Sequence, residues 1–342
     1  MAGIWLNPME IQGLVGDVVG HRAGLVLTLP ELTKVLATDS ELAELWRVSA
    51  KRAVRVRPDE IEALVRTTLA GVGYLPDSNR TFPTIDLHRA HAGDATQLAN
   101  VRVVLDRFYE DIKRDALQAA ASGVSPGPWD ATKFLRDVRK DHGPAVALIA
   151  VDFVWRLQRH LLESPWSMHR DVEWVSLRRL AELRDSPGLE SEHGRFLDQR
   201  FVDYLAAQTD ALDTMHWRKF EGLAAEYFHR LGLHVEIGPG GNDGGVDVRV
   251  WDNRLGNGSP LYLVQCKRQK DKVGKVVVKA LWSDVVEEGA SEGIVVTTSA
   301  LEPGAENVIT ARRYPISTAD RTVVQRWLSE MRTPGRGVFL AR

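Results

Sequence analysis

The sequence predicts two folded parts of different class: an all-α domain over residues 1–210, followed by a compact α+β or α/β domain over residues 211–342. Three observations predict this. Up to about residue 210, apolar residues recur at three- and four-residue spacing behind recognisable helix starts. Past Asp213-Thr214, one further helix gives way to short valine- and isoleucine-rich runs between glycine-rich turns. The 342 residues also exceed the roughly 250–300 at which single cores usually stop growing.

In the first part, Asn7-Pro8-Met9-Glu10 supplies an N-cap, a proline at the first helical position and an acidic first turn, and Thr38-Asp39-Ser40-Glu41 fits a capping box. Further helices are predicted over Pro58–Ala70, Ala95–Ala121, Trp129–His142, Ala145–Leu162 and Asp171–Leu183. Within Ala95–Ala121, Val101, Val104, Leu105 and Phe108 share one face, the mark of a packed helix. Gly71–Asp94, with Pro76, Asn79, Pro83 and Gly93, reads as a long loop. Phe196–Leu212 reads as a helical connector. In the second part a helix over Met215–Leu231 precedes strands at His234–Ile237, Val246–Trp251, Leu261–Lys267 and Gly293–Thr298. A helix over Pro303–Arg313 and the run Pro315–Thr318 follow. A helix, a hairpin and then strands alternating with helices describe a compact mixed domain.

Composition excludes several classes. Hydrophobic residues at 44% and charged residues at 26% fit a globular protein with a sizeable core. One cysteine, Cys266, allows neither an internal disulfide nor a cysteine-rich zinc site, and an intracellular, cytoplasmic location is expected. Met1–Gly20 does not read as a signal peptide. The most apolar stretch, Pro144–Trp155, carries Asp152 and is well short of the roughly 20 residues of a membrane span, so it reads as a buried helix. Walker and GxGxxG spacings are absent, as are a zinc-binding HExxH and a nucleophile elbow. The net charge of −2 leaves room for a local basic stripe, which runs through Lys267, Arg268, Lys270, Lys272, Lys275 and Lys279.

The chemistry-bearing stretch is Gly240-Gly241-Asn242-Asp243-Gly244-Gly245-Val246-Asp247-Val248, followed after a turn-rich connection by Leu263-Val264-Gln265-Cys266-Lys267-Arg268. The two strands form an antiparallel hairpin in this reading. Strand alternation sets Gln265 and Lys267 on one face and Cys266 on the other, where its thiol packs as a small apolar group. A carboxylate, an amide oxygen and an ammonium then share a region. Carboxylate and carbonyl oxygens suit magnesium, and a nearby lysine can orient water or stabilise phosphate charge. From the residues alone, an ordinary Asp247–Lys267 salt bridge remains open.

The ordered set Phe220-Glu221 in a helix, then Gly-x-Asp-Gly-Gly-Val-Asp, then Val-Gln-Cys-Lys-Arg, then Gly293-Ile294-Val295-Val296-Thr297-Thr298-Ser299 before a helix, resembles the Mrr-like branch of the PD-(D/E)XK restriction endonucleases. The resemblance covers about residues 215–330. It implies a restriction-endonuclease-like fold, a central mixed sheet flanked by helices, and magnesium-dependent hydrolysis of double-stranded DNA, with manganese able to substitute. It implies Asp247 as metal ligand, Lys267 as catalytic lysine, Glu221 as the helical glutamate, and Gln265 where the wider superfamily has glutamate. The Cys266 carbonyl is a further ligand by the same resemblance. Asp243 matches an acid of the family pattern but equally suits a turn. Arg268, Lys270, Lys272 and Lys275, directly after the strand, are expected to hold DNA phosphates.

A restriction or defence role is expected, and cuts on opposite strands favour a homodimer. The helical part would select the target, contact a partner or restrain the nuclease. Two rival readings use the same residues: a catalytically inactive DNA-binding or regulatory protein, in which Gln265 marks lost metal binding, and a repair or junction-resolving nuclease.

Overall fold

The computed structural model describes residues 3–37, 40–49, 51–78, 82–123, 129–164, 166, 174, 176–189, 191–241, 245–252 and 258–333. Asp243, most of the 252–260 turn and the first half of the expected Thr38–Glu41 box lie outside them. Contacts divide the chain into two compact units, Met1–Ser78 with Arg170–Arg342, and Asn79–His169. The boundary expected near residue 210 falls inside the first unit.

The first unit begins with β1 (Ile4–Leu6) and α1 (Pro8–Ala23). The Asn7 side chain accepts from the Glu10 amide, and Glu10 accepts from the Asn7 amide, so the capping box forms as its residues dictate. There follow β2 (Leu25–Val26), α2 (Leu29–Leu36), α3 (Ser40–Ser49), β3 (Val54–Val56) and α4 (Pro58–Gly71). The small strands were not legible in the sequence. β1 pairs antiparallel with β3, and β2 pairs parallel with β4 (Arg178–Arg179), which precedes α8 (Leu180–Asp185). Runs of two and three residues carry too little periodicity to be read as strands.

The second unit holds α5 (Pro83–Ala90), α6 (Ala95–Ser122) and α7 (Ala131–Glu163) around their own core of Leu87, Val101, Val104, Phe134, Val138, Ile149 and Phe153. α5 corrects the expected Gly71–Asp94 loop: Pro83 opens a short helix whose Leu87 is fully buried. Within α7 the two helices expected on either side of Gly143 are both present, and the break between them is Gly143, which takes the non-helical φ 81° and ψ 179° ahead of Pro144. Pro144–Trp155 is also not buried all round. Leu148, Val151 and Trp155 form an exposed stripe, while Val146, Ile149, Ala150 and Phe153 face the core.

The expected connector becomes α9 (Gln199–Ala207) and a 3-10 turn over Thr209–Asp213. Then come α10 (Trp217–Arg230), β5 (His234–Ile237), β6 (Val248–Trp251), β7 (Tyr262–Lys267), α11 (Lys275–Glu288), β8 (Glu292–Thr297), α12 (Pro303–Arg312), β9 (Ile316–Ala319) and α13 (Arg321–Met331). Neither α11 nor α13 was foreseen. The five strands form one mixed sheet in the order β5-β6-β7-β8-β9, antiparallel through β7 and parallel from β7 to β9. The chain thus has the expected class, an α-helical N-terminal region ahead of a mixed sheet flanked by helices.

Alternation along β7 builds both faces of that sheet. Val264 and Cys266 join Val248, Val250, Phe220 and Leu328 in a core continuous with α1, α4 and α9. Leu263 joins Val278, Leu281, Val285, Val295 and Ala305 in a second core beneath α11 and α12. Cys266 is therefore a buried apolar contributor, as expected, and burial together with the charges of Asp247 and Glu221 pushes its thiol well above its usual range.

Candidate active site

Three elements deliver side chains to one end of the sheet. α10 starts at the His216 cap, whose Nδ1 accepts from the Arg218 amide. Its first turns bury Phe220 and bring Glu221 over the sheet with only 5% exposure. The β5–β6 connection returns through Gly238, whose amide donates to the Asp247 carbonyl at 2.9 Å, and Asp247 enters just ahead of β6. The Asp247 amide donates to the Val264 carbonyl, and the Asp247 Oδ2 accepts from the Cys266 amide at 2.6 Å. The carboxylate is thereby fixed against β7. The antiparallel β6–β7 register, with Val248 opposite Val264, sets Asp247 opposite Gln265 one residue further along.

A cavity of about 380 Å³ opens here, lined by Glu221, Asp247, Cys266 and Lys267 together with Trp217 and Arg268. The structure so gathers Glu221, Asp247 and Lys267 from α10, the β6 entrance and the end of β7. Gln265 is 5% exposed and does not line the cavity. The backbone approaches it closely: a Cβ placed on Gly245, where φ is +101°, would stand 2.9 Å from Gln265 Nε2, so this position needs glycine.

Burial pushes the Glu221 carboxyl up to about 7. The Arg218 guanidinium opposes this, donating from Nη1 to Glu221 Oε2 at 2.7 Å, while the Asp247 carboxyl, close enough for a hydrogen bond, raises it further. Among the described residues no group of three His, Cys, Asp or Glu side chains is placed to hold a metal. The donor set is instead two carboxyls and neutral oxygens. Gln265 Oε1 is buried without a hydrogen-bond partner among the described residues, an orphan acceptor of the kind a cation satisfies. Two adjoining buried carboxyls, one of them resisting ionisation, likewise call for positive charge between them. These residues fit a hard divalent ion.

The basic stripe divides. Arg268 is half-buried, and its Nη1 donates to the Asp213 carbonyl at 2.7 Å, while Arg321 holds the Asp213 carboxylate at 2.6 Å. Arg268 thus ties the end of β7 to the turn before α10. Lys270, Lys272, Lys275 and Lys279 are exposed. The loop that carries the first two is pinned by the Gln269 amide to Thr298 Oγ1, by Ser299 Oγ to the Lys270 carbonyl, and by the buried Val273 bridging to Leu301. The sequence reading missed Arg218 and Trp217. The i, i+3 spacing of Arg218 and Glu221 was the available signal for the first. An aromatic at a helix's first position carried none.

Residues 212–328 match the model of the Mrr_cat restriction endonuclease family. An uncharacterized protein of Sinorhizobium fredii, y4cE, is 31% identical over 129 residues, which cover 37% of this chain and 33% of that protein. The chain thus spans about a third of the length of this curated relative. Among solved structures, the MspJI restriction endonuclease in complex with a 27-mer oligonucleotide is similar at 17% identity and a TM-score of 0.30, over 58% of this chain and 45% of that one. With the family match laid over α10, the five-stranded sheet and α12, residues 212–328 are a restriction-endonuclease domain of the Mrr type.

Proposed function

We propose that this domain is a magnesium-dependent endodeoxyribonuclease that hydrolyses phosphodiester bonds of double-stranded DNA, with Asp247, Glu221, Gln265 and Lys267 at its centre. The observation that carries the reading is that Glu221, Asp247 and Lys267, far apart in sequence and borne on separate elements, line one cavity. Asp247 and Glu221 would hold the ion by their carboxylates, with the Gln265 amide oxygen and the Cys266 carbonyl as neutral donors. A bound magnesium ion supplies a Lewis acid for the scissile phosphate and acidifies its water, and manganese would serve as well.

The chain's own groups do the rest. The Cys266 amide holds the Asp247 carboxylate in place. Arg218, donating to Glu221 Oε2, opposes the upward push of burial on that carboxyl without cancelling it. The Lys267 ammonium stabilises charge building on the phosphate and orients the attacking water. Lys270, Lys272 and Lys275, on the pinned loop and the start of α11, grip flanking phosphates without reading sequence. Arg268 belongs to the same stripe but acts from within, through Asp213.

In biological terms the domain suits restriction of foreign or modified DNA in the cytoplasm, acting as a homodimer when both strands are cut. Among the described residues no helix is long and apolar enough to cross a membrane. We divide the chain functionally at residue 210, with residues 211–342 as the nuclease and residues 1–210 selecting the target or restraining cleavage. The test is cleavage of methylated and unmethylated duplexes by the full chain, with magnesium, with manganese and with chelator. The reading expects metal-dependent cutting abolished by the chelator, and metal-independent or absent cutting overturns it.

A further inference from the structure

We propose that Trp217 is a stacking platform for an unpaired nucleobase of the DNA strand whose phosphate occupies the cavity, so that the substrate is locally opened where it is cut. The inference rests on the nuclease reading above and adds what the site holds besides a phosphate.

The indole stands at the first position of α10, lines the cavity beside Glu221, Asp247 and Lys267, and is 45% exposed. In contrast Phe220, one turn further along, is fully buried in the core. Trp217 is therefore not needed to fill the interior, and its ring edges the opening. It is also held in place. The backbone at Gly240, with φ +80°, approaches so closely that an added Cβ would meet the far edge of the indole at 3.3 Å and Arg218 Nη1 at 3.1 Å. The His216 ring lies 5.3 Å from the indole between centroids, tilted by 33°. A large aromatic surface, immobilised and half open to solvent, loses little conformational freedom when a planar partner lands on it.

The chemistry of the surroundings selects that partner. The neighbouring lysines favour a polyanion, and about 380 Å³ is in the range of pockets for whole small molecules, more than a cation and a phosphate need. A nucleotide meets both demands, its phosphate toward Lys267 and its base on the indole. Every base has a π-face, so such a contact tolerates sequence, and it is worth a factor of roughly five to a hundred or more in affinity. Within an intact duplex that face is already covered, so the contact is made with a base that has left its stack.

The test measures binding by fluorescence anisotropy in chelator, with the full chain. The probes are a labelled oligothymidylate of about 12 nucleotides, within the usual site sizes for single strands, and an equally long sugar–phosphate strand without bases. The expected result is that Trp217→Ala weakens oligothymidylate about tenfold and leaves the base-free strand unchanged, while Trp217→Phe retains most of the affinity. Equal losses on both strands, or no loss on either, overturn the proposal. If the alanine variant does not fold, Trp217→Leu against Trp217→Phe decides it, since leucine keeps apolar bulk but offers no π-face, and equal binding by the two is then the contrary result. Because the assay contains no metal, it reads Trp217 even if the chain cuts nothing, an outcome that would remove the nuclease reading instead.

Discussion

Asp203→Asn should make this protein more stable at neutral pH, by up to roughly 3 kcal/mol. Asp203 sits on α9, and burial pushes its carboxyl up to about 6, against the bonds from the Thr333 amide and Gln199 and the charges of Arg332 and Arg230. An unfolded aspartate titrates near ~3.9, and each pH unit between the two values is worth about 1.4 kcal/mol. The folded state holds the proton more tightly than the unfolded chain. Stability contributed by this group is therefore complete below about pH 4, falls as pH rises toward about 6, and stays low above.

Asparagine removes the ionisation but keeps the geometry. Both hydrogen bonds, from Gln199 Nε2 at 2.9 Å and from the Thr333 amide at 3.0 Å, go to the same oxygen, Oδ1, which an amide carbonyl can replace. Urea unfolding of both proteins from pH 4 to pH 8 is the assay. The curves should converge at the acid end and separate by up to roughly 3 kcal/mol at pH 8. A variant less stable than wild type at pH 8, or a gap that does not vary with pH, would refute the reasoning.

Three further outcomes follow from other parts of the molecule. Glu226→Ala should cost about 3–5 kcal/mol in urea unfolding, because the buried carboxylate accepts from the amides of Arg195, Phe196 and Leu197 and from Arg230 Nε; a loss below about 1 kcal/mol would contradict this. Gly73→Ala should destabilise by roughly 3 kcal/mol, since at φ +82° the new Cβ would lie 2.0 Å from the Asp203 carbonyl oxygen, and calorimetric melting checks it. Lys272→Glu with Lys275→Glu should weaken duplex binding and flatten the plot of log affinity against log salt by about two, read by anisotropy over a potassium chloride series.

The second half of the chain was more legible than the first because its signals are of different kinds that agree. Alternation set Val264 and Cys266 on the face opposite Leu263, and turn residues separated the strands. α11 escaped because its lysines drew the eye to charge. Its buried Val278, Leu281 and Val285 keep helical spacing underneath. In the first half, β2 and β4 are held by a partner some 150 residues away in sequence, information that no local pattern carries. Long-range bonds were equally hidden: the bond from Arg268 to the Asp213 carbonyl has no sequence signature. The meeting of Asp247 and Lys267 was anticipated from strand pairing and alternation and that of Glu221 from resemblance, whereas Trp217 became visible only in the approach of α10 to the Gly240 backbone.

The central claim is that the ammonium of Lys267 and the carboxylate of Asp247 act on one phosphate. Its most direct measure is the single-turnover rate of duplex cleavage in saturating magnesium, wild type beside Lys267→Ala, with melting temperature confirming that both are folded. The account predicts a fall of at least about a hundredfold, the usual effect of removing one group that meets developing charge. Equal rates for the two proteins would contradict it.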